Sequence, residues 1–428
     1  MIIGLPYGRG ELPVRLADEC EVTVVRKPEM PVIADPGVAV VRALGEPVAS
    51  PPLADLAAGR KSACILICDV TRPVPNALFL QPLIREIVRA GVPRERITVL
   101  VATGLHRPNE GDELRQVVGD DWVMDNVRIE NHFARDDAAQ VDLGTTDTRG
   151  TPVKLDRRFV EADLRIATGL VEPHIMAGYS GGCKVIAPGI AHQDTIRTFH
   201  SARFLEDPAA VQCNLSGNPL REEQLEIVRM LGEVHAVNTV IDERRRLSFV
   251  NFGEIVASHL AAVDFAHGFC RVSLPRRFKT VVTSAAGFPL DQTYYQTVKS
   301  MLTPMGILDS DATLIVAADC SEGIGSDAYR AAQQRLLAQS PERFLEGLFA
   351  KRFAEIDEWQ TEVQLKAQRA ARIQLFSELD EMDRACTGVE AIDCVDSAVA
   401  ASVERAGDPA VAVIPEGPYV VPHAAALT

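Results

Sequence analysis

The chain has 428 residues, 47% hydrophobic and 24% charged, an ordinary globular composition that is too long for one typical domain. A net charge of −15 repels phosphate backbones, which argues against nucleic acid as a partner, and an anionic small substrate would need a local cationic clamp. Nine cysteines without CxxC pairs or zinc-like spacing, no apolar run near the roughly 20 residues of a membrane helix, and an N-terminus without a signal-peptide pattern predict a soluble cytoplasmic protein with no membrane partner.

In chain order, one unit recurs: an apolar strand, a loop rich in Gly, Pro or polar residues, then a helical stretch. The strands are SACILICD (62–69), RITVLVAT (96–103), DLRIATGLV (163–171), FKTVVTSAA (278–286) and DATLIVAAD (311–319). Such alternation predicts an α/β protein with parallel or mixed sheets flanked by helices. A break near AHGFCRVSLPRRF predicts two domains, 1–270 and 271–428, with the active site in the cleft between them. Residues 340–382 read as one or two long helices, and 393–406 as an amphipathic helix. AVAVIPEG reads as a strand that can return to either domain.

Ligands of parallel sheets bind at the carboxyl ends of the strands, so the loops after these strands are where chemistry is expected. The first carries Asp69 and Arg72 in DVTRP; Arg offers a two-pronged donor for a carboxylate. A capping Asp and a surface Arg would explain the same letters. The second carries His106 in TGLHRP, suited by residue type to acid-base work or to capping a turn. The third, EPHIMAGYSGGCKVIAPG (172–189), holds His174, Lys184 and four glycines. It fails the Walker A test, because Cys183 separates Gly182 from Lys184 and Val185 follows. A lysine among apolar residues suits a depressed pKa and nucleophilic work. His192 and His200 lie about two helical turns apart, too far for a paired metal site. Later, Tyr295 and Lys299 share a helix face, with Gln296 alongside, and Gly323-Ile324-Gly325-Ser326 forms a second, weakly informative glycine turn.

As a set, DVTRP, TGLHRP, EPHIMAGYSGGCKVIAPG, the His200 segment and DQTYYQTVK resemble the nickel-pincer lactate racemase family, from LPYG near the start to Trp359. The resemblance implies a racemase or epimerase of 2-hydroxy acids, with a small anionic 2-hydroxy acid as substrate. It implies a nickel-pincer nucleotide, the Ni-bound pyridinium-3-thioamide-5-thiocarboxylate mononucleotide, covalently on Lys184. His200 resembles the nickel ligand, and His106 and His174 the two catalytic bases. Asp69, Arg72, Tyr295, Gln296, Lys299 and Trp359 resemble substrate-side positions. Met176, Ser180, Gly181, Gly182 and Pro188 resemble cofactor-side positions.

The implied chemistry is removal of the hydroxyl proton by one His while C2 gives up a hydride, then return of both on the other face. Cofactor-biosynthesis proteins are implied partners, and a homo-oligomer is compatible with the sequence. Leu105 stands where lactate racemases carry a small hydroxyl residue, so the resemblance is carried to the reaction class and not to lactate. Two other readings stay open at this point. One is a cofactor- or anion-binding paralogue without turnover; the other is a pyridoxal-phosphate or nicotinamide enzyme on a similar scaffold.

Overall fold

A computed structural model of the chain describes residues 1–425. The chain divides into two compact α/β units. One, here the Lys184 unit, comprises Glu29–Phe199 and Pro208–Gly268. The other, the His200 unit, comprises Met1–Pro28, His200–Asp207 and the chain from Phe269 onward. One break thus falls beside residue 270. The first 28 residues and the short His200–Asp207 segment group with the later part of the chain instead of their sequence neighbours.

The Lys184 unit is built on a six-stranded sheet. Its order is Leu247–Glu254, His235–Ile241, Leu164–Leu170, Ala63–Cys68, Ile97–Ala102, Arg128–Asn131. All neighbours are parallel except the Leu247–Glu254 edge. ACILIC is apolar throughout because this central strand is covered on both faces. Helix Asn76–Arg89 follows the DVTRP loop and buries Phe79, Leu80, Leu83, Ile84 and Ile87, one stripe at helical spacing. Each such side chain contributes about 1.5–3 kcal/mol of burial. Cys68 pairs with Ala102 in register, so the loops after these two strands leave the same edge of the sheet.

The sheet of the His200 unit runs Glu390–Ala391, Ala371–Phe376, Leu308–Ala317, Phe278–Ser284, Ala410–Ile414, Glu21–Val24, all parallel. The AVAVI run therefore pairs inside this unit, beside the early strand Glu21–Val24. The reading of 340–382 as long helices needs correction. Pro341–Phe349 and Glu358–Ala370 are helices, but Ala371–Phe376 is an interior strand. Its six residues, ARIQLF, follow a Gln-, Glu- and Arg-rich helix without a break, and that composition masks the change of period. Among the described residues no helix is long and apolar enough to cross a membrane.

Candidate active site

Three loops at one edge of the Lys184-unit sheet carry most of the expected site residues. Asp69 directly follows the Ala63–Cys68 strand and is 4% exposed. Its Oδ2 lies 2.6 Å from His106 Nδ1. Its Oδ1 accepts from Thr71 Oγ1 at 2.6 Å and from the Thr71 amide at 3.2 Å. Burial pushes the Asp69 carboxyl up, but His106, Thr71 and Arg72 outweigh it and hold the group below the usual carboxylate range. Asp69 was expected at the substrate; both its oxygens are engaged in orienting His106 and its own loop. The His106 side chain is 62% exposed. With Nδ1 on a carboxylate, the neutral ring holds its proton there and leaves the Nε2 lone pair open. The loop itself is fixed by Gly104 N donating to Gly189 O (2.9 Å) and His106 N to Thr103 O (2.9 Å).

Arg72 Nη1 donates to Glu172 Oε1 at 2.9 Å, which ties the first loop to the third. Arg72 Nε and Nη2 make no other hydrogen bond among the described residues, so the fork keeps donors for an anion. Lys184 lies in the short helix Cys183–Ile186 and is half-buried. Burial lowers its amine to about 8, with Arg72 as the next cause; Cys68, Asp69 and Glu172 pull the other way. At pH 7 about one amine in ten is then neutral, against roughly one in three thousand for an ordinary lysine. The neighbouring Cys68 thiol is pushed up to about 11, first by burial and then by Asp69, so it is a thiol at neutral pH.

His174 sits in a two-residue strand paired with Gly178–Tyr179. Its Nδ1 accepts from the amides of Met176 (3.4 Å) and Ala177 (3.2 Å). The neutral ring therefore carries its proton on Nε2, the opposite of His106. Of the cofactor-side expectations, Ser180 is buried and serves the loop: its Oγ donates to Leu170 O (2.7 Å) and accepts from Glu172 N (3.1 Å). Gly181 and Gly182 are packed against Val171 and His259. The Met176 carbonyl accepts from Asn218 Nδ2 at 2.9 Å, and the Pro188 carbonyl accepts from Ala191 N at 3.2 Å. His192 is buried 3.2 Å from the Asp137 carboxylate.

The remaining expected residues come together within the His200 unit. His200 follows helix Gln193–Phe199, and its ring lies 4.6 Å from the Trp359 ring, tilted at 42°. Trp359 Nε1 donates to Tyr295 Oη at 3.2 Å. Burial, and then Asp357, hold the Tyr295 hydroxyl well above the usual phenol range, so it stays protonated. Lys299 Nζ donates to Gln296 Oε1 at 2.6 Å, one turn along helix Tyr294–Leu302. The Gly323–Ser326 turn buttresses the start of that helix, with Tyr294 N on Gly323 O and Tyr295 N on Ile324 O. Among the described residues no three His, Cys, Asp or Glu side chains converge as a metal set.

Comparison with known proteins places this arrangement. Residues 7–212 match the lactate racemase N-terminal domain, and 276–421 match the lactate racemase C-terminal domain. The lactate racemase of Lactiplantibacillus plantarum is 30% identical over 89% of this chain and 90% of its own length. The chain belongs to the lactate racemase family. A lactate racemase of Thermoanaerobacterium thermosaccharolyticum is 32% identical over 76% of both chains. The lactate racemase apoprotein structure from the same organism superposes with a TM-score of 0.90 at 26% identity, covering 99% of this chain and 100% of the other. A Thermotoga maritima protein of 16% identity, with a TM-score of 0.65 over 91% of this chain, shares the fold.

Within this lactate racemase-family chain, two residues at the site were not singled out by sequence reasoning. Glu172 was only the first letter of a loop, and its pairing with Arg72, 100 residues earlier, leaves no local trace. His259 packs behind the glycine loop from helix Ile255–Cys270, where nothing in the surrounding sequence marks it.

Proposed function

We propose that the chain is a racemase or epimerase that inverts C2 of a small 2-hydroxy acid, with His106 and His174 as alternating bases at the substrate hydroxyl. Family membership supports the reaction class. One observation carries the reading to residues. His106 has Nδ1 fixed on the buried Asp69 and Nε2 open, in the loop cluster that also holds the desolvated Lys184 amine.

The residues fit the nickel-pincer nucleotide that the resemblance implies. Among the described residues the Lys184 amine has no hydrogen bond or ion pair, and its lowered pKa makes the neutral, acylatable form accessible, as a thioamide link requires. His200 offers one imidazole. Among the described residues no three His, Cys, Asp or Glu side chains converge as a metal set, so His200 would serve as a single imidazole ligand, a donor type that suits Ni(II). When bound, such a group supplies reversible acceptance of the C2 hydride.

The chain's own work is binding, orientation and proton transfer. Arg72, its plane set by Glu172, offers two remaining donors to the substrate carboxylate. His106 takes the hydroxyl proton at Nε2 and passes its gained charge to the Asp69 pair. His174 is the second proposed base. As imidazolium it gives its Nε2 proton to the oxygen of the planar keto acid and becomes neutral. In that neutral form, with Nε2 unprotonated, it takes the hydroxyl proton of the other enantiomer. Both forms carry the Nδ1 proton, so the Met176 and Ala177 amides must release that nitrogen first. Tyr295, Gln296, Lys299 and Trp359 are the proposed substrate-side residues of the His200 unit.

The experiment is racemisation of a broad panel of single-enantiomer 2-hydroxy acids, followed by chiral chromatography, with protein matured alongside cofactor-making proteins. At least one acid is expected to be racemised, and His106→Ala or His174→Ala to abolish it. Failure on every acid with nickel-loaded protein sinks the reading. An aldimine absorption without nickel would point to a pyridoxal enzyme instead.

A further inference from the structure

We propose that His259 is a positioning residue for Lys184, acting as a neutral hydrogen-bond donor and wedge that holds the Ser180–Lys184 turn against the end of the Leu164–Leu170 strand. The inference rests on the reading of Lys184 as the reactive amine. His259 is 1% exposed, on helix Ile255–Cys270. Its Nε2–H donates to Ser180 O at 2.8 Å. Its ring fills the space above Gly182: a Cβ there would lie 2.5 Å from His259 Cγ. Gly182 has φ +50° and ψ −131°, a conformation open to glycine alone. On the other side, a Cβ at Gly181 would lie 2.8 Å from Val171 Cγ2 and 3.1 Å from Leu170 O.

The turn is thus clamped between the strand end and the His259 ring. Two bonds tie the turn to the short helix that carries the lysine: Lys184 N donates to Gly181 O and Val185 N to Gly182 O, both at 3.1 Å. A loop without this clamp would let the amine swing from its dehydrated place beside Arg72, Cys68, Asp69 and Glu172 into water.

The histidine is suited to a fixed, uncharged role. Its Nδ1 is buried and has no hydrogen-bond partner among the described residues. Burial, followed by the nearby Arg221 guanidinium, lowers its pKa to about 4, so the neutral Nε2–H tautomer persists through the physiological range. Arg221, itself 4% exposed, is the charged group that the helix Pro219–Leu231 brings to this side of the loop. A neutral ring donates one hydrogen bond and cannot repel the ammonium form of Lys184.

The test reads Lys184 directly. The full chain, produced without cofactor-making proteins, is acetylated by trace acetic anhydride across pH 6–11. The rate at Lys184 is read by peptide mass spectrometry against the exposed Lys61. Wild type is expected to show a midpoint near 8. His259→Gln keeps a donor at the Nε2 position and is expected to stay near wild type. His259→Leu keeps bulk but not the donor, and its midpoint is expected above 9, with labelling at pH 7 down by about tenfold or more. The proposal is overturned if Leu and Gln variants both retain the wild-type profile, or if both move alike. An ordinary lysine profile in wild type would instead defeat the reading of Lys184 itself, with no variant needed. Should circular dichroism show His259→Leu unfolded, Gly182→Ala decides, since its methyl displaces the same ring: a raised midpoint supports the clamp, and an unchanged one refutes it.

Discussion

Replacing Asp69 by Asn tests the orientation of His106, the first proposed base. The substitution keeps shape and removes charge. Asp69 Oδ1 is held by Thr71 Oγ1 and N, so an Asn that retains these contacts turns its NH₂ toward His106 Nδ1. That nitrogen must then accept, the ring proton moves to Nε2, and the lone pair needed for the substrate hydroxyl disappears. The lost interaction is a charge-assisted bond at 2.6 Å to a buried carboxylate. Such bonds are worth about 1.5–3 kcal/mol, or roughly 10- to 150-fold in rate. The expected result is a fall in kcat of about a hundredfold with KM little changed, measured by chiral chromatography on loaded enzyme. Nitrogen-15 NMR of His106 should show the Nδ1–H tautomer replaced by Nε2–H. Stability gives an independent readout. The Asp69 carboxyl lies below its ordinary value in the fold, so its contribution is present above the unfolded-state pKa near 3.8 and is lost as pH falls through the lower folded value. Asp69→Asn should therefore flatten acid unfolding in that window. A variant with kcat within twofold of wild type and an unchanged His106 tautomer would refute the reasoning.

Lys184→Met should stabilise the protein at pH 7, where the folded chain still carries a dehydrated ammonium. The fall from 10.5 to about 8 corresponds to at most about 3 kcal/mol. Between pH 8 and 10.5 the unfolded chain binds the extra proton, so wild type should gain on the variant as pH rises, seen in paired melting curves; no gap at pH 7 would contradict the burial argument. Arg72→Lys keeps the charge but loses the planar fork shared with Glu172. The expected effect is a KM increase of about tenfold or more, with kcat less affected. Trp359→Phe keeps a ring against His200 and loses only the donor to Tyr295, so nickel content measured by mass spectrometry should hold, whereas Trp359→Ala should lower it severalfold.

The legible parts of the fold were those with unbroken local signals. ACILIC and ITVLVA are buried on both faces, and their apolar runs give strand positions to within a residue. Ala371–Phe376 was not legible, because its burial depends on neighbours 308–317 and not on its own composition. The grouping of His200–Asp207 with the late part of the chain was invisible for the same reason. Lys366 Nζ reaches Leu205 O and Arg369 pairs with Glu206, contacts more than 150 residues apart in sequence. At the site, residue types and loop positions were readable, but tautomers were not. That His106 and His174 hold their protons on opposite nitrogens follows from one buried carboxylate and two backbone amides. Asp69, expected on the substrate side from the resemblance, has its two oxygens engaged by His106 and Thr71, contacts that its sequence did not reveal.

The most direct test of the account follows the C2 hydrogen. The most rapidly racemised acid of the panel is incubated with loaded enzyme in D₂O, and deuterium at C2 is measured by NMR and mass spectrometry as racemisation proceeds. Histidines that handle only the hydroxyl proton, with C2 moving as a hydride, predict racemised product that retains its original C2 hydrogen. Incorporation of solvent deuterium at C2 in step with racemisation would mean that a histidine removes the C2 proton itself, and the account would be wrong.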